Sequence, residues 1–356
     1  MTDTLNLDVQ PIAQSRLDAV DFDNLPFGRV FSDHMFVADY ADGQWQRFRI
    51  IPYGEVTFTP AMMALHYGQA IFEGMKAYRG ASGEALTFRP LDNWKRMNLS
   101  AERLCMPTLP QEVFMGGLTE LLRLDHAWVP DRPDYSLYVR PVMYATDEFI
   151  GVSPSNNYQF VIFTCPVGAY YAKPIKVWVE THYSRAAEGG VGFSKNAGNY
   201  AGSLYPTKLA HQRGYDQIIW TDAKEHQYVE EAGTMNFMFV IDNALVTPST
   251  VGDTILKGIT RDSVLQLARD WGMPTEERKV SVREVVEGIQ QGRLREAFGA
   301  GTAATIAPIA LIHHDGVDYP LPDTDARSFS NRVLKALNDI KHGRSEDPHG
   351  WVYKVE

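Results

Sequence analysis

Cysteine is nearly absent from this chain, which has only Cys105 and Cys165 among its 356 residues. Two cysteines so far apart can form neither a disulfide framework nor a paired-cysteine metal site. No apolar run approaches the ~20 residues that a membrane-spanning helix needs. The opening Met1-Thr2-Asp3-Thr4 has neither the basic nor the apolar part of a secretory signal. These absences predict a reduced, cytoplasmic protein without a membrane partner.

Dense clusters of basic residues and the common metal motifs are also missing. The net charge is −10 and no Lys/Arg block stands out, so we expect no nucleic-acid partner, since binding phosphates needs a concentrated basic face. The sequence has no HExxH, no GxSxG elbow and no calcium-binding DxDxDG loop. His313-His314-Asp315 could ligate a metal, but the glycine that follows is typical of a solvated turn. We therefore predict no metal site.

The length of the chain is sufficient for two domains with substantial cores. Strand-like and helical patterns are mixed along it, which favours an α+β fold. Gly168-Ala-Tyr-Tyr-Ala-Lys-Pro174 has the composition of a connector, and we place a domain boundary near residues 168–178.

Local signals predict several elements. Asp42-Gly43 indicates a hairpin within residues 30–51. Helical spacing of apolar residues follows Pro90, and another helix is expected over 326–341. Ser281-Val-Arg-Glu284 has the spacing of a capping box, in which Ser281 accepts from the N3 amide and Glu284 reaches back.

One lysine lies in the glycine-rich stretch Gly189-Gly-Val-Gly-Phe-Ser-Lys195-Asn-Ala-Gly-Asn-Tyr200. Glycines allow close approach of the backbone to a ligand, but a flexible surface turn with a solvated lysine is the simpler interpretation. Further along, Leu256-Lys-Gly-Ile-Thr260 predicts a helix start with Thr260 as N-cap, where free amides suit a phosphate.

The stretch Gly299-Ala-Gly301-Thr302-Ala303-Ala304 superficially matches a dinucleotide fingerprint. The residues after it are interrupted by Pro308 and look extended rather than helical, which argues against that interpretation. A tight turn whose amides and Thr302 hydroxyl bind an anion fits better.

Glu231 lies between two strand-like pieces and is either a solvated edge carboxylate or a buried charge that needs a cationic partner. Asn236 and Thr234 could help to hold it. A lysine, anion-binding turns and a carboxylate are together what pyridoxal 5′-phosphate requires for its aldehyde, phosphate and ring nitrogen.

Ordered motifs from about Phe27 onward carry a resemblance that covers nearly the whole chain. They are Phe31-Ser-Asp-His-Met35, Leu65-His-Tyr-Gly68, Phe72-Glu-Gly-Met-Lys76, Phe88-Arg-Pro90, Asn93-Trp-Lys-Arg-Met97, Leu137-Tyr-Val-Arg-Pro141, Pro166-Val-Gly-Ala-Tyr170, Lys195-Asn-Ala-Gly-Asn-Tyr200, Glu231-Ala-Gly-Thr-Met-Asn236, Gly258-Ile-Thr-Arg261 and Gly301-Thr-Ala303. With them the sequence resembles the branched-chain amino acid aminotransferases, which are fold-type IV pyridoxal-phosphate enzymes.

The resemblance implies a fold and a cofactor. The fold would have a smaller N-terminal α+β domain (1–168), an interdomain loop (169–178) and a larger cofactor-binding domain with a barrel-like β core (179–356). The cofactor would be pyridoxal 5′-phosphate. Lys195 would bind its aldehyde covalently and carry the catalytic proton, Glu231 would hold the ring nitrogen protonated, and Tyr200 would bond the ring hydroxyl. The phosphate would be bound by Arg96, Ile259, Thr260 and Thr302.

The resemblance also implies the substrate contacts. The aromatic side-chain pocket would comprise Phe27, Tyr67, Phe72, Tyr138 and Tyr170. Arg140, on one strand face with Tyr138, would bind the γ-carboxylate of glutamate. Thr234, Thr302 and Ala303 would complete the site, with the Thr302–Ala303 backbone at the substrate's α-carboxylate, and Val152 would reach the partner subunit's pocket.

The activity so implied is a reversible ping-pong transfer of the amino group between L-leucine, L-isoleucine or L-valine and 2-oxoglutarate, giving branched-chain 2-oxoacids and L-glutamate. The protein would form a homodimer or a higher homo-oligomer. Ala304-Thr-Ile-Ala307 stands where some mammalian members have a redox CxxC, so we expect no thiol switch. The alternatives are a D-amino-acid transaminase or aminodeoxychorismate lyase of the same fold, and a non-catalytic pyridoxal-phosphate-binding protein.

Overall fold

The structure is a computed structural model that describes residues 5–168 and 173–355. Within these residues the chain forms two compact units. The first comprises residues 5–168, Ser194–Ala197 and the described residues from Asp339 onward, and the second comprises residues 173–193 and Gly198–Asn338. The first unit thus includes the last residues of the chain as well as the segment that contains Lys195. The domain limits implied by the resemblance stay a prediction.

The described strands are β1 (Asp8–Val9), β2 (His34–Ala41), β3 (Gln44–Pro52), β4 (Ala70–Phe72), β5 (Met75–Arg79), β6 (Ala85–Phe88), β7 (Ser136–Ala145), β8 (Tyr158–Val167), β9 (Ile175–Val179), β10 (Gln217–Thr221), β11 (Val229–Ala232), β12 (Met235–Ile241), β13 (Ala244–Pro248), β14 (Thr275–Arg278), β15 (Leu294–Gly301), β16 (Thr305–His314), β17 (Val317–Pro320) and β18 (Val352–Val355). The α-helices are α1 (Met63–Tyr67), α2 (Pro90–Arg103), α3 (Gln111–Leu124), α4 (Ala197–Gln212), α5 (Ile259–Asp270), α6 (Val282–Gln290) and α7 (Ser328–Lys341). Within the described ranges, none of these helices is long and apolar enough to cross a membrane.

The first unit is built on one sheet with the strand order β1-β3-β2-β8-β7-β5-β6-β18, and β4 pairs with β7. β1 runs parallel to β3, and the other neighbours are antiparallel. The predicted hairpin at Asp42-Gly43 joins β2 to β3, and both turn residues have positive φ (54° and 77°). Such turns match the twist of the paired strands, so this local prediction is confirmed.

The core of this unit lies on the face of the sheet that α2 and α3 cover. Phe36 of β2 and Phe160 of β8 are fully buried there with Phe114 of α3. Val161, the neighbour of Phe160, belongs to a separate cluster, because successive side chains of a strand point to opposite faces. The other face therefore carries a separate set of side chains.

The second unit contains a closed barrel. β11 pairs with both β10 and β12, so the ring runs β9-β10-β11-β12-β15-β16 and returns to β9. β13 and β14 extend the sheet beyond β12, and β17 pairs with β16. Closure pairs the strands around the ring with one another and leaves no open edge between them. The predicted α+β class and the barrel-like core are confirmed.

The motif Phe72-Glu-Gly-Met-Lys76 spans two short strands, β4 and β5, which are separated at Glu73-Gly74. A Cβ on Gly74 would lie 2.2 Å from the Tyr138 hydroxyl, so this position requires glycine. One local prediction was wrong in detail. Thr260 is not an N-cap. The N-cap of α5 is Gly258, in an extended conformation, and its carbonyl accepts from the Asp262 amide (3.0 Å).

The capping box at the start of α6 is half confirmed. Ser281 Oγ accepts from the Glu284 amide at 3.0 Å. The Glu284 carboxylate does not reach back but pairs with Arg278 at 2.6 and 2.9 Å. The second half of the prediction was wrong because two charge-assisted bonds to one guanidinium are stronger than one bond to an amide.

The N-cap role of Ser281 can be tested with Ser281→Ala, which removes the acceptor of the Glu284 amide and exposes that amide to solvent. We expect faster hydrogen exchange at that amide and a loss of about 1 kcal/mol of stability, typical of a lost N-cap. Glu284→Gln keeps the cap and is the matched control. Equal exchange rates in the two variants would contradict the assignment of the cap to Ser281.

Candidate active site

Lys195 is held in the first unit by hydrogen bonds of both its backbone amide and its backbone carbonyl. Its amide donates to Ser100 Oγ at 2.9 Å, and its carbonyl accepts from the Phe72 amide at 3.0 Å. Its Nζ lies 4.9 Å from the centroid of the Phe72 ring, a cation–π distance. The half-buried side chain thus lies against β4, and the interpretation as a solvated surface turn was wrong.

Arg96, on α2, forms a buried ion pair with Glu73. Its Nε and Nη2 donate to the two carboxylate oxygens, each at 2.8 Å, and Asn93 adds a further bond of 2.8 Å. Burial acts to raise the pKa of Glu73, but Arg96, then Lys195 and Asn93, outweigh it and hold the pKa below its usual value. Glu73 therefore stays anionic and fixes the guanidinium of Arg96.

In the sequence, Glu73 stands out only as part of the motif Phe72-Glu-Gly-Met-Lys76, and no role was predicted for it. A buried arginine needs an anionic partner, and this need is the signal that could have predicted a role for Glu73. That requirement does not identify a carboxylate that lies between β4 and β5, well before α2 in the sequence.

Four residues of the predicted substrate pocket lie together in the first unit: Phe27, Phe72, Tyr138 and Arg140. The Arg140 guanidinium carbon is 4.6 Å from the Phe72 ring centroid and 5.3 Å from that of Tyr138. Arg140 Nη2 donates to the Tyr138 hydroxyl at 2.9 Å, and Phe27 packs edge-on against Tyr138 with centroids 5.7 Å apart. The Phe72 ring contacts both Arg140 and Lys195, so the two cations lie close to one ring.

The Nε of Arg140 is buried, and in the described part of the chain it has no hydrogen-bond partner. A buried N–H without an acceptor costs free energy, so a ligand oxygen in this position would be stabilising. The other pocket candidates differ in placement: Tyr67 is 40% exposed and Val152 is 93% exposed. Tyr170 lies outside the described residues.

Glu231, in β11 of the second unit, is buried and has a cationic partner. Its Oε2 is 2.9 Å from Arg185 Nε, and its Oε1 accepts from the Leu256 amide at 2.8 Å. Asn236 Nδ2, across the hairpin, lies 3.3 Å from Oε1. The interpretation as a solvated edge carboxylate was wrong, and the buried anion predicted as its alternative is present.

Arg185 also joins two loops around this carboxylate. Its Nη1 donates to the Thr254 carbonyl at 2.8 Å, and its Nη2 donates to the Gly192 carbonyl at 3.2 Å. A Cβ on Gly192 would lie 2.6 Å from the Thr254 carbonyl oxygen, so this position requires glycine. Sequence reasoning required a cation for Glu231 but did not identify Arg185.

The N-terminus of α5 is the first anion-binding candidate of the second unit. Asn236 Nδ2 donates to the Leu256 carbonyl at 2.9 Å, and a Cβ on Gly258 would lie 1.8 Å from Asn236 Oδ1. Asn236 therefore connects the turn before α5 with the strand that faces Glu231. Ile259 and Thr260 lie in the first turn, where amides and the helix dipole favour an anion.

The turn from β15 to β16 is the second candidate. Asn236 pairs with Ala300 and Ala232 with Met235, so Thr234 and Thr302 follow the same end of the barrel strands. A Cβ on Gly299 would lie 2.7 Å from Met235 Cε, which explains the small residues of this strand. Ala303 continues the turn.

Tyr200 lies in the first turn of α4, half-buried, and its carbonyl accepts from Ser203 Oγ at 2.7 Å. Asn199 Nδ2 donates to the Val191 carbonyl at 2.9 Å, which fixes the glycine-rich loop against this helix.

Comparison with known proteins identifies relatives over most of the chain. Residues 70–312 match the family model for class IV amino-transferases. The chain is 44% identical to branched-chain-amino-acid transaminase 1 of Bacillus subtilis, over 94% of this chain and 95% of that protein.

Solved structures agree with these relatives. The branched-chain amino acid aminotransferase of Escherichia coli superimposes with a TM-score of 0.74 at 26% identity, covering 91% of this chain and 99% of that one. The T.th. branched-chain amino acid aminotransferase, solved as a complex with N-(5′-phosphopyridoxyl)-L-glutamate, gives a TM-score of 0.73 at 26% identity, with coverage of 90% and 98%. The chain belongs to the class IV aminotransferases and, among them, to the branched-chain amino acid aminotransferases.

Proposed function

We propose that this enzyme uses pyridoxal 5′-phosphate to move the amino group of L-leucine, L-isoleucine or L-valine to 2-oxoglutarate, by a reversible ping-pong reaction that yields 2-oxoacids and L-glutamate. The observation that carries the proposal is the buried pair of Glu231 and Arg185. A carboxylate that a guanidinium and an amide hold in place is a fixed negative charge, which is what a protonated ring nitrogen needs.

Each unit has described residues whose chemistry suits a part of the cofactor. Glu231 would face the ring nitrogen, Tyr200 the ring hydroxyl and Lys195 the aldehyde. Arg96, the Ile259 amide, Thr260 and Thr302 would take the phosphate, supported by the buried Thr260 in the first turn of α5 and by the fixed guanidinium of Arg96. When bound, the cofactor supplies an aldehyde that accepts the amino group and a ring that accepts electron density.

Lys195 would carry the proton of the reaction on Nζ. Its backbone bonds to Ser100 and Phe72 fix the position of Cα. Nζ in its neutral form would take the proton from the substrate Cα, and the Phe72 ring face would stabilise the protonated amine that results. Nζ would then deliver the proton to the cofactor carbon that carried the aldehyde oxygen, which is general acid–base catalysis by one positioned group.

Arg140 would let one pocket accept two kinds of side chain. Phe72, Tyr138 and Phe27 present ring surfaces that suit a branched aliphatic group. The Arg140 guanidinium lies at the same rings and has an N–H that lacks an acceptor in the described residues, so it can bind the γ-carboxylate of glutamate or 2-oxoglutarate. Thr234 and the Thr302–Ala303 turn would bind the α-carboxylate.

The loop after β7 supports assembly into a homodimer or a higher homo-oligomer. Phe149, Ile150 and Val152 are exposed by 51%, 72% and 93% of their surface. Adjacent exposed apolar side chains mark an interaction surface, and Val152 would enter the partner subunit's pocket. Tyr67, also exposed, and Tyr170 would complete the aromatic lining. The cytoplasmic location stays a prediction.

The proton carrier can be tested with Lys195→Ala. We expect no measurable turnover and no cofactor fixed to the protein by borohydride, because Nζ makes both the link and the proton transfer. Lys208→Ala, an exposed lysine of α4, is the matched control and should keep both properties. A cofactor fixed to another lysine in the Lys195→Ala protein would contradict the assignment.

The selectivity residue can be tested with Arg140→Ala. We expect kcat/KM for 2-oxoglutarate to fall by about a hundredfold or more, since a charge-assisted contact is lost, with a much smaller change for 4-methyl-2-oxopentanoate. Tyr138→Phe removes only the hydroxyl that accepts from Arg140 and should give an intermediate loss. Equal losses for both oxoacids in Arg140→Ala would disprove the role.

The ion pair can be tested with Arg185→Met, which leaves Glu231 buried without its cation. We expect a loss of about 3–5 kcal/mol in stability, typical of a broken buried pair, and a fall of about 10²–10³ in kcat. Arg283→Met, at an exposed position of α6, is the control.

The double variant Arg185→Met/Glu231→Gln separates stability from catalysis. It removes both charges, so it should recover much of the stability that Arg185→Met loses, while activity stays low and the cofactor's absorbance titrates at a different pH. Recovery of activity together with stability would show that the pair acts on folding alone.

A further inference from the structure

The second unit contains a cavity of about 600 Å³ that the proposed reaction does not use. This volume lies within the range of small-molecule sites, about 300–1,000 Å³. Glu230, Thr254 and Ile255 are among its lining residues, whereas Glu231 and Arg185 are not. Glu230 and Glu231 are successive residues of β11, so their side chains leave opposite faces of the strand. Tyr228 and Val229 line the cavity as well, so it lies along the start of β11 and the residues before it, and the Glu231–Arg185 pair is not part of its lining.

Glu230 is the chemical feature of this cavity. The residue is only 7% exposed, and its Oε2 is buried without a hydrogen-bond partner among residues 5–168 and 173–355. Burial raises the pKa of Glu230; a bond from Thr254 opposes this shift and the charge of Glu231 adds to it. A buried carboxyl oxygen without a donor costs free energy that a ligand N–H could recover.

The other lining groups indicate what the rest of the ligand would be. Lys224 and Lys279 lie at exposed positions of the cavity wall, and the Lys279 Nζ is held 4.9 Å from the Tyr228 ring centroid. Val251 and Ile255 add apolar surface. Glu188, Asp222 and Glu225 also line the cavity, so its wall favours a cationic head at Glu230. The two lysines can pair with a carboxylate, and Val251 and Ile255 suit an aliphatic part.

We propose that this cavity binds a small zwitterionic amine of the amino-acid class, with its ammonium group on Glu230 and its carboxylate toward Lys279 or Lys224. The site is connected to Glu231 by a short path, since Thr254 lines the cavity and its carbonyl accepts from Arg185 at 2.8 Å. The proposal concerns a second site and does not depend on which amino acid the enzyme transaminates.

The test uses N,N-dimethyl-L-leucine, a zwitterion whose tertiary amine cannot condense with an aldehyde. Isothermal titration of the holoenzyme should show saturable binding that Glu230→Gln weakens at least tenfold. Val251→Trp, an exposed substitution at the cavity wall, should weaken it as well by filling the space. Glu287→Gln, an exposed carboxylate of α6, is the matched control and should leave binding unchanged.

Two further compounds separate this cavity from the candidate active site. N,N-dimethyl-3-methylbutylamine keeps the cation and should bind in a Glu230-dependent manner, more weakly than the zwitterion. 4-Methylvalerate keeps only the carboxylate, so any binding it shows should be the same in wild type and Glu230→Gln. Absence of saturable binding of the zwitterion, or equal affinity in wild type and both cavity variants, would overturn the proposal. If Glu230→Gln does not fold, Val251→Trp alone decides.

Discussion

The buried ion pair between Glu231 and Arg185 is the interaction on which the organisation of the second unit depends. A single buried carboxylate is unfavourable, and it is retained only where cations and amides compensate its lost hydration. Arg185 meets this need and also bonds the carbonyls of Gly192 and Thr254. One guanidinium therefore joins a barrel strand to the glycine-rich loop and to the loop before α5, so the carboxylate and these two loops are positioned together.

The first unit also contains a buried carboxylate that is paired with an arginine. Glu73, fully buried, takes two bonds from Arg96 and one from Asn93. The strand break at Glu73-Gly74 directly follows Phe72, whose amide bonds the Lys195 carbonyl and whose ring lies against Nζ. The position of the lysine thus follows from a buried ion pair and a tight glycine, because both fix the end of β4.

Local features could be predicted from the sequence, whereas pairings between residues far apart in the chain could not. The Asp42-Gly43 hairpin and the Ser281 cap depend on neighbouring residues, so spacing alone reveals them. The barrel and the roles of the site residues came from the family resemblance, since no periodicity encodes which strands meet. Arg185 and Glu73 were missed because each pairs with a residue far along the chain. Burial made those pairs necessary, but only the folded structure identifies them.

Glu230 and Glu231 show how strand geometry gives adjacent identical residues different chemistry. Both are buried in β11, yet Glu231 meets a guanidinium and an amide, whereas Glu230 faces a cavity and lacks a donor for Oε2 among the described residues. Successive side chains of a strand point to opposite faces, so these two neighbours lie in different environments. Burial raises the pKa of Glu230 and the charge of Glu231 adds to that shift, so the two carboxylates repel each other when both are ionised, and a cation bound at Glu230 would offset that repulsion. Under the two proposals, occupation of the cavity and the charge at the ring nitrogen would therefore be linked by electrostatics as well as by the bond between Thr254 and Arg185.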